Sequence, residues 1–183
     1  MNFKSTILAL FLTLLLIPTA QAQENTQHVR IRLLPERGIV KPNEEIWIAV
    51  EQSIDSGWHT YWKNPGDSGT APVIKWTLPE GFSISDIHWP VPEKIPYGPL
   101  LNYGYADNVV LLQKLKVPET FPPGGLTLKA DIDILVCKDI CIPEYGSYEI
   151  TLNGTESAGE NNEAFIHKIV ESLPRATPTP GVF

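Results

Sequence analysis

The chain has 183 residues, of which 43% are hydrophobic and 19% are charged, and its formal net charge is −7. This length suits one domain with a tail, and the hydrophobic share is ordinary for a globular protein. The acidic balance argues against a nucleic-acid partner, because affinity for nucleic acid comes largely from neutralised phosphates. The 17 prolines and 13 glycines leave little room for long uninterrupted helices.

The N-terminal segment has the pattern of a secretory signal peptide. Lys4 gives a positive start, the apolar run Ile7–Ile17 follows, and Ala20-Gln21-Ala22 is a small-x-small cleavage site. We therefore expect residues 1–22 to be removed and the folded domain to occupy 23–174. No later stretch reaches the roughly 18 apolar residues that a membrane span needs. The sequence thus predicts an exported protein with no stable membrane insertion.

Short strands separated by proline and glycine dominate the rest of the chain. Most of them alternate apolar and polar residues with the period of two that half-buried strands show. The predicted strands are His28–Leu34, Glu45–Gln52, Trp58–Trp62, Val73–Leu78, Ser83–Trp89, Val109–Val117, Leu126–Val136 and Tyr145–Leu152. Their number and spacing predict an all-β fold, an immunoglobulin-like sandwich of two antiparallel sheets.

One helix is predicted near the C-terminus. Apolar residues recur at helical spacing over Asn162–Leu173, and Pro174 ends the helix. The segment 175–183 is rich in proline and threonine, and we expect it to be a flexible tail.

The stretch Pro90–Asn108 fits no regular element. It contains four prolines and three tyrosines, Tyr97, Tyr103 and Tyr105. A loop of this length in a compact domain is more often functional or disordered than idle, and the aromatic residues argue against disorder. We therefore interpret it as a functional loop.

The two cysteines, Cys137 and Cys141, directly follow the clearest predicted strand. Four residues of extended strand span about 13 Å, whereas a disulfide needs Cα atoms within roughly 7 Å, so a bridged pair requires a turn or a bulge between them. Closing so short a loop gives little stabilisation, which makes the pair a poor structural staple. Both cysteines have the outward parity of the strand, and exposed disulfides tend to be reducible. In an exported protein this predicts a redox-active pair, with a local structural clip as the alternative.

Metal binding at the cysteines is the weakest interpretation. Two thiolates need further ligands to complete a tetrahedral site. The four histidines show no ligand spacing; they are His28, His59, His88 and His167. We predict no metal and no cofactor.

Three segments resemble one known family. The segment Cys137–Glu144, with the sequence CKDICIPE after a long alternating strand, resembles the N-terminal periplasmic domain of DsbD-type thiol:disulfide interchange proteins. The aromatic stretch Gly57–Gly69 and the tyrosine-rich stretch Tyr97–Tyr105 carry the same resemblance. DsbD itself has five residues between its cysteines, and the three residues here are similar to the branch that includes ScsB. The resemblance covers about Gln27–Leu173.

The resemblance implies a function that residue spacing alone does not give. In this family an immunoglobulin-like domain relays electrons in the periplasm. A membrane thiol-disulfide electron donor of DsbD or CcdA type reduces the pair, and the pair reduces a thioredoxin-fold protein or a disulfide isomerase. By position, Cys141 would form the mixed disulfide and Cys137 would resolve it. The activity implied is that of a protein-disulfide reductase.

The resemblance also implies a shielded site. An aromatic cap loop covers the pair in this family, and its equivalent here is Pro96–Asp107 with Tyr97, Tyr103 and Tyr105. His59 and Tyr61 match an aromatic strand that lies near the pair. Full-length family members continue into a transmembrane domain and a thioredoxin-like domain. Three interpretations of this chain then remain: a separate membrane protein supplies the electrons, the chain is a free-standing relative with another role, or it is a truncated relative.

A binding module is the alternative function. An exported β-sandwich with exposed aromatic residues is also typical of a peptide- or protein-binding domain, in which the disulfide would be structural. Replacing both cysteines by serine discriminates between the two hypotheses, because only the redox protein would lose its function.

Overall fold

The computed structural model describes residues 27–122, 124–154 and 161–175. The predicted signal peptide, 1–22, and most of the predicted tail, 176–183, lie outside the described residues. Within these ranges, no helix has the length and apolar character that crossing a membrane requires.

The described residues form two antiparallel sheets and one helix. The strands are β1 (Val29–Pro35), β2 (Glu45–Ile54), β3 (His59–Gly66), β4 (Val73–Thr77), β5 (Ser83–Ile84), β6 (Glu93–Tyr97), β7 (Leu100–Ala106), β8 (Asn108–Lys116), β9 (Leu126–Cys137) and β10 (Cys141–Leu152), and the helix is α1 (Glu163–Ser172). The first sheet has the order β1-β2-β8-β5, and the second has the order β10-β9-β3-β7-β6, with β4 also paired to β9. The predicted immunoglobulin-like sandwich with one C-terminal helix is confirmed.

The core lies between the two sheets. Alternate residues of β2, such as Ile48 and Val50, face alternate residues of β9, such as Leu128 and Ile132, and all of them are buried. Burying an aliphatic side chain of this size contributes about 1.5–3 kcal/mol. Strand β9 therefore has one face in the core, and it is paired to β10 along one edge and to β4 along the other.

The helix packs on the outer face of the first sheet, away from the cysteines. Ile166 is buried against Leu34, Ala49 and Leu112. The buried carboxylate of Glu36 accepts a hydrogen bond from the Trp47 backbone N–H and lies 2.8 Å from His167 Nε2 of the helix. The predicted helix is confirmed to within one residue at each end.

The predicted strand Ser83–Trp89 is wrong beyond its first two residues. The ladder with β8 ends after Ser83–Ile84, and His88 forms only an isolated bridge. At Ser85 the backbone N–H still donates to the Lys114 carbonyl at 2.9 Å, but the Lys114 N–H donates to Ser85 Oγ at 2.8 Å instead of to a backbone carbonyl. The regular ladder is therefore interrupted here, and the backbone pairing resumes at the bridge between His88 and Leu112.

The interpretation of Pro90–Asn108 as a long loop is also wrong. Strands β6 and β7 form a hairpin in this segment, with Tyr97 paired to Leu100 across a short turn. Gly98 in the turn has a φ of 58°, a conformation that glycine adopts easily. Pro96 is accommodated because β6 is the last strand of its sheet, and proline is tolerated in edge strands.

Candidate functional site

The two cysteines close the hairpin between β9 and β10. Cys137 and Cys141 are directly opposite each other in the ladder, with Cα atoms 4.1 Å apart, and they form a disulfide. The turn between them is Lys138–Ile140, closed by a hydrogen bond of 3.0 Å from the Lys138 N–H to the Ile140 carbonyl. The predicted turn between the cysteines is therefore confirmed.

The two halves of the disulfide differ in exposure. Cys137 is fully buried, whereas Cys141 is exposed and follows Ile140, which is 63% exposed at the tip of the turn. The expectation of an outward, solvent-facing position is wrong for Cys137, because β3 and β10 flank it on both sides and His59 is its partner on β3. Solvent and other proteins can thus reach the pair from the Cys141 side.

Strand β3 places two polar aromatic side chains beside the pair. His59 is opposite Cys137, and Tyr61 lies two residues further on the same face of the strand. The His59 Nε2 and Tyr61 Oη atoms are 3.3 Å apart, and Tyr61 Oη is 3.9 Å from Cys141 Sγ. His59 and Tyr61 are only 6% and 1% exposed. The structure therefore brings both sequence-predicted strand residues to the disulfide.

Burial sets the charge of both side chains. It lowers the pKa of His59 below its ordinary value, because the imidazolium loses hydration. Burial raises the pKa of Tyr61, and the nearby Tyr97 raises it further. At neutral pH, His59 is therefore a neutral imidazole and Tyr61 is a protonated phenol.

Gly69 supports the Tyr61 ring, a role that sequence reasoning did not assign. A Cβ atom at this position would lie 2.2 Å from Tyr61 Cε1, and the φ of Gly69 is +92°. The segment is held in place by Ser68, whose backbone N–H and hydroxyl both donate to the side-chain oxygen of Asn102 on β7. The sequence offers one signal for this role, the glycine at the end of the aromatic motif Gly57–Gly69. It does not show that Gly69 contacts Tyr61, because the two residues are eight positions apart.

Tyr97 links the tips of two hairpins. It ends β6, and its hydroxyl donates a 2.8 Å hydrogen bond to the Asp139 carbonyl in the turn between the cysteines. Glu93 is paired with Gly104, and Gly104 with Tyr61, so these residues lie on the face of the sheet that carries the disulfide. Tyr97, four residues after Glu93 in the same strand, lies on that face too. Tyr97 is therefore the predicted cap residue that the structure brings to the pair.

Tyr103 and Tyr105 lie on the face of β7 that points away from the disulfide, because Gly104 between them faces Tyr61. Tyr105 is buried among core residues, and its hydroxyl donates to the Pro90 carbonyl at 2.9 Å. Burial raises the pKa of Tyr105, so it remains a neutral phenol. Tyr103 shares this face, and its ring lies near Gly66. The structure does not bring these two tyrosines to the disulfide.

One group with metal-ligand character occurs among the described residues. Glu36, Glu163 and His167 have ligand atoms within 4.8 Å of one another where the helix meets β1. This group lies on the sheet opposite the disulfide, and the Glu36 carboxylate is already engaged by the Trp47 N–H and by His167. It therefore contributes to helix docking and does not extend the cysteine site.

Residues 30–153 match the family model described as thiol:disulfide interchange protein DsbD, N-terminal. The chain belongs to this family. The match includes the cysteine pair at disulfide distance, so the chemistry of the domain is thiol–disulfide exchange.

Two N-terminal domains, those of an ScsB and a DsbD protein, are among the solved structures that match this chain. The N-terminal periplasmic domain of ScsB from Proteus mirabilis has a TM-score of 0.63 and 24% identity, with 84% of this chain and 57% of that chain covered. This chain thus spans little more than half the length of that one. The N-terminal domain of Neisseria meningitidis DsbD in the reduced form has a TM-score of 0.42 and 13% identity, with 67% and 86% covered. No curated protein matches the chain.

Replacing Gly69 by alanine tests how this DsbD-family site holds Tyr61. The new methyl group would overlap the Tyr61 ring, so we expect a loss of about 1–3 kcal/mol in the free energy of unfolding. Urea denaturation of the oxidised protein measures it. Gly98→Ala is the matched control, because Gly98 also has a positive φ but has no atom near the added Cβ. Equal losses in the two variants would contradict the ring contact.

The lowered pKa of His59 predicts an acid-dependent stability. Above about pH 6.5, His59 is neutral in both the folded and unfolded states and has no effect. Below that pH the unfolded state takes up a proton before the folded state does, so the free energy of unfolding falls as the pH drops.

The measurement compares urea unfolding of the wild type and His59→Gln at pH 7.5 and pH 5.5. We expect the wild type to lose more stability between these two pH values than the variant does. His88→Gln, at an exposed histidine, is the control and should behave like the wild type. The same pH dependence in wild type and His59→Gln would contradict the shifted pKa.

Proposed function

We propose that the Cys137–Cys141 pair relays electrons in the periplasm. A membrane thiol-disulfide donor of DsbD or CcdA type reduces it, and it reduces a thioredoxin-fold protein or a disulfide isomerase. The observation that carries this proposal is the exposed Cys141 bonded to the buried Cys137 at a hairpin tip. Family members interact with thioredoxin-like partners and membrane domains, which supports the partner classes. We also propose that residues 1–22 are a signal peptide removed on export and that residues 23–174 form the mature domain.

The exchange proceeds through a mixed disulfide. The Cys141 thiolate attacks one sulfur of the partner disulfide, and the partner's other sulfur leaves as a thiolate that takes up a proton. The Cys137 thiol then loses its proton and attacks Cys141 Sγ, which releases the partner's remaining sulfur. Two electrons pass to the partner, and the Cys137–Cys141 disulfide is restored. Reduction by the donor follows the same steps in reverse.

The roles of the two cysteines follow from their exposure. A partner sulfur can approach Cys141, whereas the neighbours of Cys137 exclude a second protein. Cys137 needs only to reach Cys141, and the β9–β10 ladder already holds the two opposite each other. We therefore assign the exchanging role to Cys141 and the resolving role to Cys137.

The tip of the β6–β7 hairpin serves as the cap. Tyr97 rests on the turn between the cysteines through one hydrogen bond to the Asp139 carbonyl. A partner that docks on Cys141 displaces this tip, in the way that loop movements gate other active sites. The sequence predicts a cap over Pro96–Asp107. In this proposal Tyr97 covers the turn between the cysteines, and Tyr103 and Tyr105 stabilise the hairpin from its other face.

Thiol trapping across dithiol redox buffers tests the proposed relay. We expect a reduction potential above about −300 mV, the range of exchangeable disulfides. Cys137→Ala should accumulate a mixed disulfide with an oxidised thioredoxin-fold protein, because this chain then has no second thiol to complete the transfer. Cys141→Ala is the matched control and should accumulate none. A potential below about −300 mV, together with no mixed disulfide, would identify a structural clip and overturn the proposal.

Tyr97→Phe tests the cap. The variant keeps the ring but loses the hydrogen bond to Asp139, a contact worth about 0.5–1.5 kcal/mol, so we expect exchange with a protein disulfide to accelerate about two- to tenfold. Stopped-flow measurement of the reduced protein gives the rate. Tyr145→Phe, at a tyrosine that is 66% exposed, is the control and should leave the rate unchanged. An unchanged or slower rate in Tyr97→Phe would contradict gating by this hydrogen bond.

A further inference from the structure

We infer that His59 and Tyr61 form a proton relay for the Cys141 thiol, in which His59 accepts the thiol proton through the Tyr61 hydroxyl. The inference rests on the proposed function, because it assigns a proton acceptor to the exchanging cysteine. It gives His59 a role at a distance, since the imidazole contacts Tyr61 rather than the sulfur.

The geometry places three polar atoms in series. His59 Nε2 is 3.3 Å from Tyr61 Oη, which is 3.9 Å from Cys141 Sγ. Hydroxyl and sulfur are within contact range for the weak hydrogen bonds that thiols make. In the reduced protein the thiol donates to Tyr61 Oη, and the Tyr61 hydroxyl donates to His59 Nε2. Two successive proton shifts then produce a thiolate and an imidazolium and leave Tyr61 neutral.

The burial that keeps His59 neutral also disfavours its imidazolium, so the transfer depends on the negative charge of the Cys141 thiolate to stabilise that cation. His59 is a neutral imidazole at neutral pH and therefore has a free acceptor nitrogen. Tyr61 keeps its proton, because its pKa is raised, and it passes protons without ionising. Both side chains are buried, so bulk water does not replace them along this path.

The other titratable groups on this face of the sheet are weaker candidates for the proton acceptor. Strand β6 contributes Tyr97 and the exposed Glu93, and the turn contributes the exposed Lys138 and Asp139. Strand β10 contributes the exposed Tyr145, which is paired with Asp133 on β9. The positions of β7 that face His59 and Tyr61 are alanine and glycine, which do not titrate. Within the part of the chain that the structure describes, none of these titratable groups forms a hydrogen bond to Tyr61 Oη or to Cys141 Sγ. His59 is the base that contacts the Tyr61 hydroxyl.

The relay contributes one balanced step to exchange. The Cys141 S–H bond breaks, its proton passes to Tyr61 Oη, and the Tyr61 proton passes to His59 Nε2. The electron pair left on sulfur forms the new bond to the partner's disulfide, and the partner's leaving thiolate is protonated from solvent. The imidazolium returns its proton to solvent through Tyr61 once Cys141 is in the mixed disulfide.

Alkylation of Cys141 by iodoacetamide tests the relay without any partner protein. The parent is reduced Cys137→Ala, in which Cys141 is the one remaining thiol, and rates are measured from pH 5 to pH 10. We expect the midpoint of the parent's curve of alkylation rate against pH to lie below the ordinary thiol pKa of about 8.5. His59→Gln and Tyr61→Phe should each raise the midpoint and slow alkylation at pH 7 about three- to tenfold, since one pH unit corresponds to a tenfold change.

Three controls separate a relay from a structural role. The rates of all variants should converge at pH 10, which shows that access to Cys141 is unchanged. The variant with both substitutions should behave like either single variant, because losing one member of the series already stops the proton transfer and the second substitution changes nothing further. His88→Gln and Tyr145→Phe should match the parent. Tyr61→Phe keeps the ring and the fold, so it remains informative if His59→Gln is unstable.

An unchanged midpoint in Tyr61→Phe, or a slowing of equal size at every pH, would overturn the relay. The formation of the mixed disulfide is scored separately. If the mixed disulfide forms but the midpoint does not move, the relay fails and the proposed function stands. If the midpoint moves but no mixed disulfide forms, the proposed function fails and the relay is a property of an unused thiol.

Discussion

The antiparallel ladder between β9 and β10 is the constraint on which the site depends. It pairs Leu126 with Leu152 at one end and Cys137 with Cys141 at the other, so the disulfide continues a register that the backbone already holds. The opposite edge of β9 is paired to β4 and, at Cys137, to β3. Eleven further residue pairs hold the same register, so we expect the sheet to keep the two sulfur atoms close in either redox state.

The two cysteines differ in burial, and this difference gives them different chemical roles in the proposed exchange. Two residues that are neighbours in the ladder have different surroundings: Cys137 is enclosed by β3 and β10, whereas Cys141 borders solvent. The same enclosure lowers the pKa of His59 and raises that of Tyr61. In the proposed exchange the bond that changes is part of the fold, and the roles assigned to the surrounding side chains are control of its protons and of its accessibility.

The sequence predicted those features that depend on local pattern. The alternation of Leu126–Val136 predicted most of β9, the distance argument for the cysteines predicted a change of chain direction between them, and the helical spacing before Pro174 predicted α1. Other features depend on pairing between distant segments. The edge position that accommodates Pro96 is set by the pairing of β6 with β7, and the enclosure of Cys137 is set by His59, so the local signals were misleading there. Alternation along β7 places Tyr105 in the core, a position that the interpretation of this segment as a loop does not predict.

The hydrogen bond from Tyr97 ends on a main-chain oxygen, that of Asp139. Every amino acid offers the same carbonyl, so this contact makes no demand on the side chain at position 139. Lys138, Asp139 and Ile140 are all exposed at the tip of the turn. Substitutions at the three residues between the cysteines can therefore change the surface beside Cys141 without removing the oxygen that accepts the hydrogen bond from Tyr97.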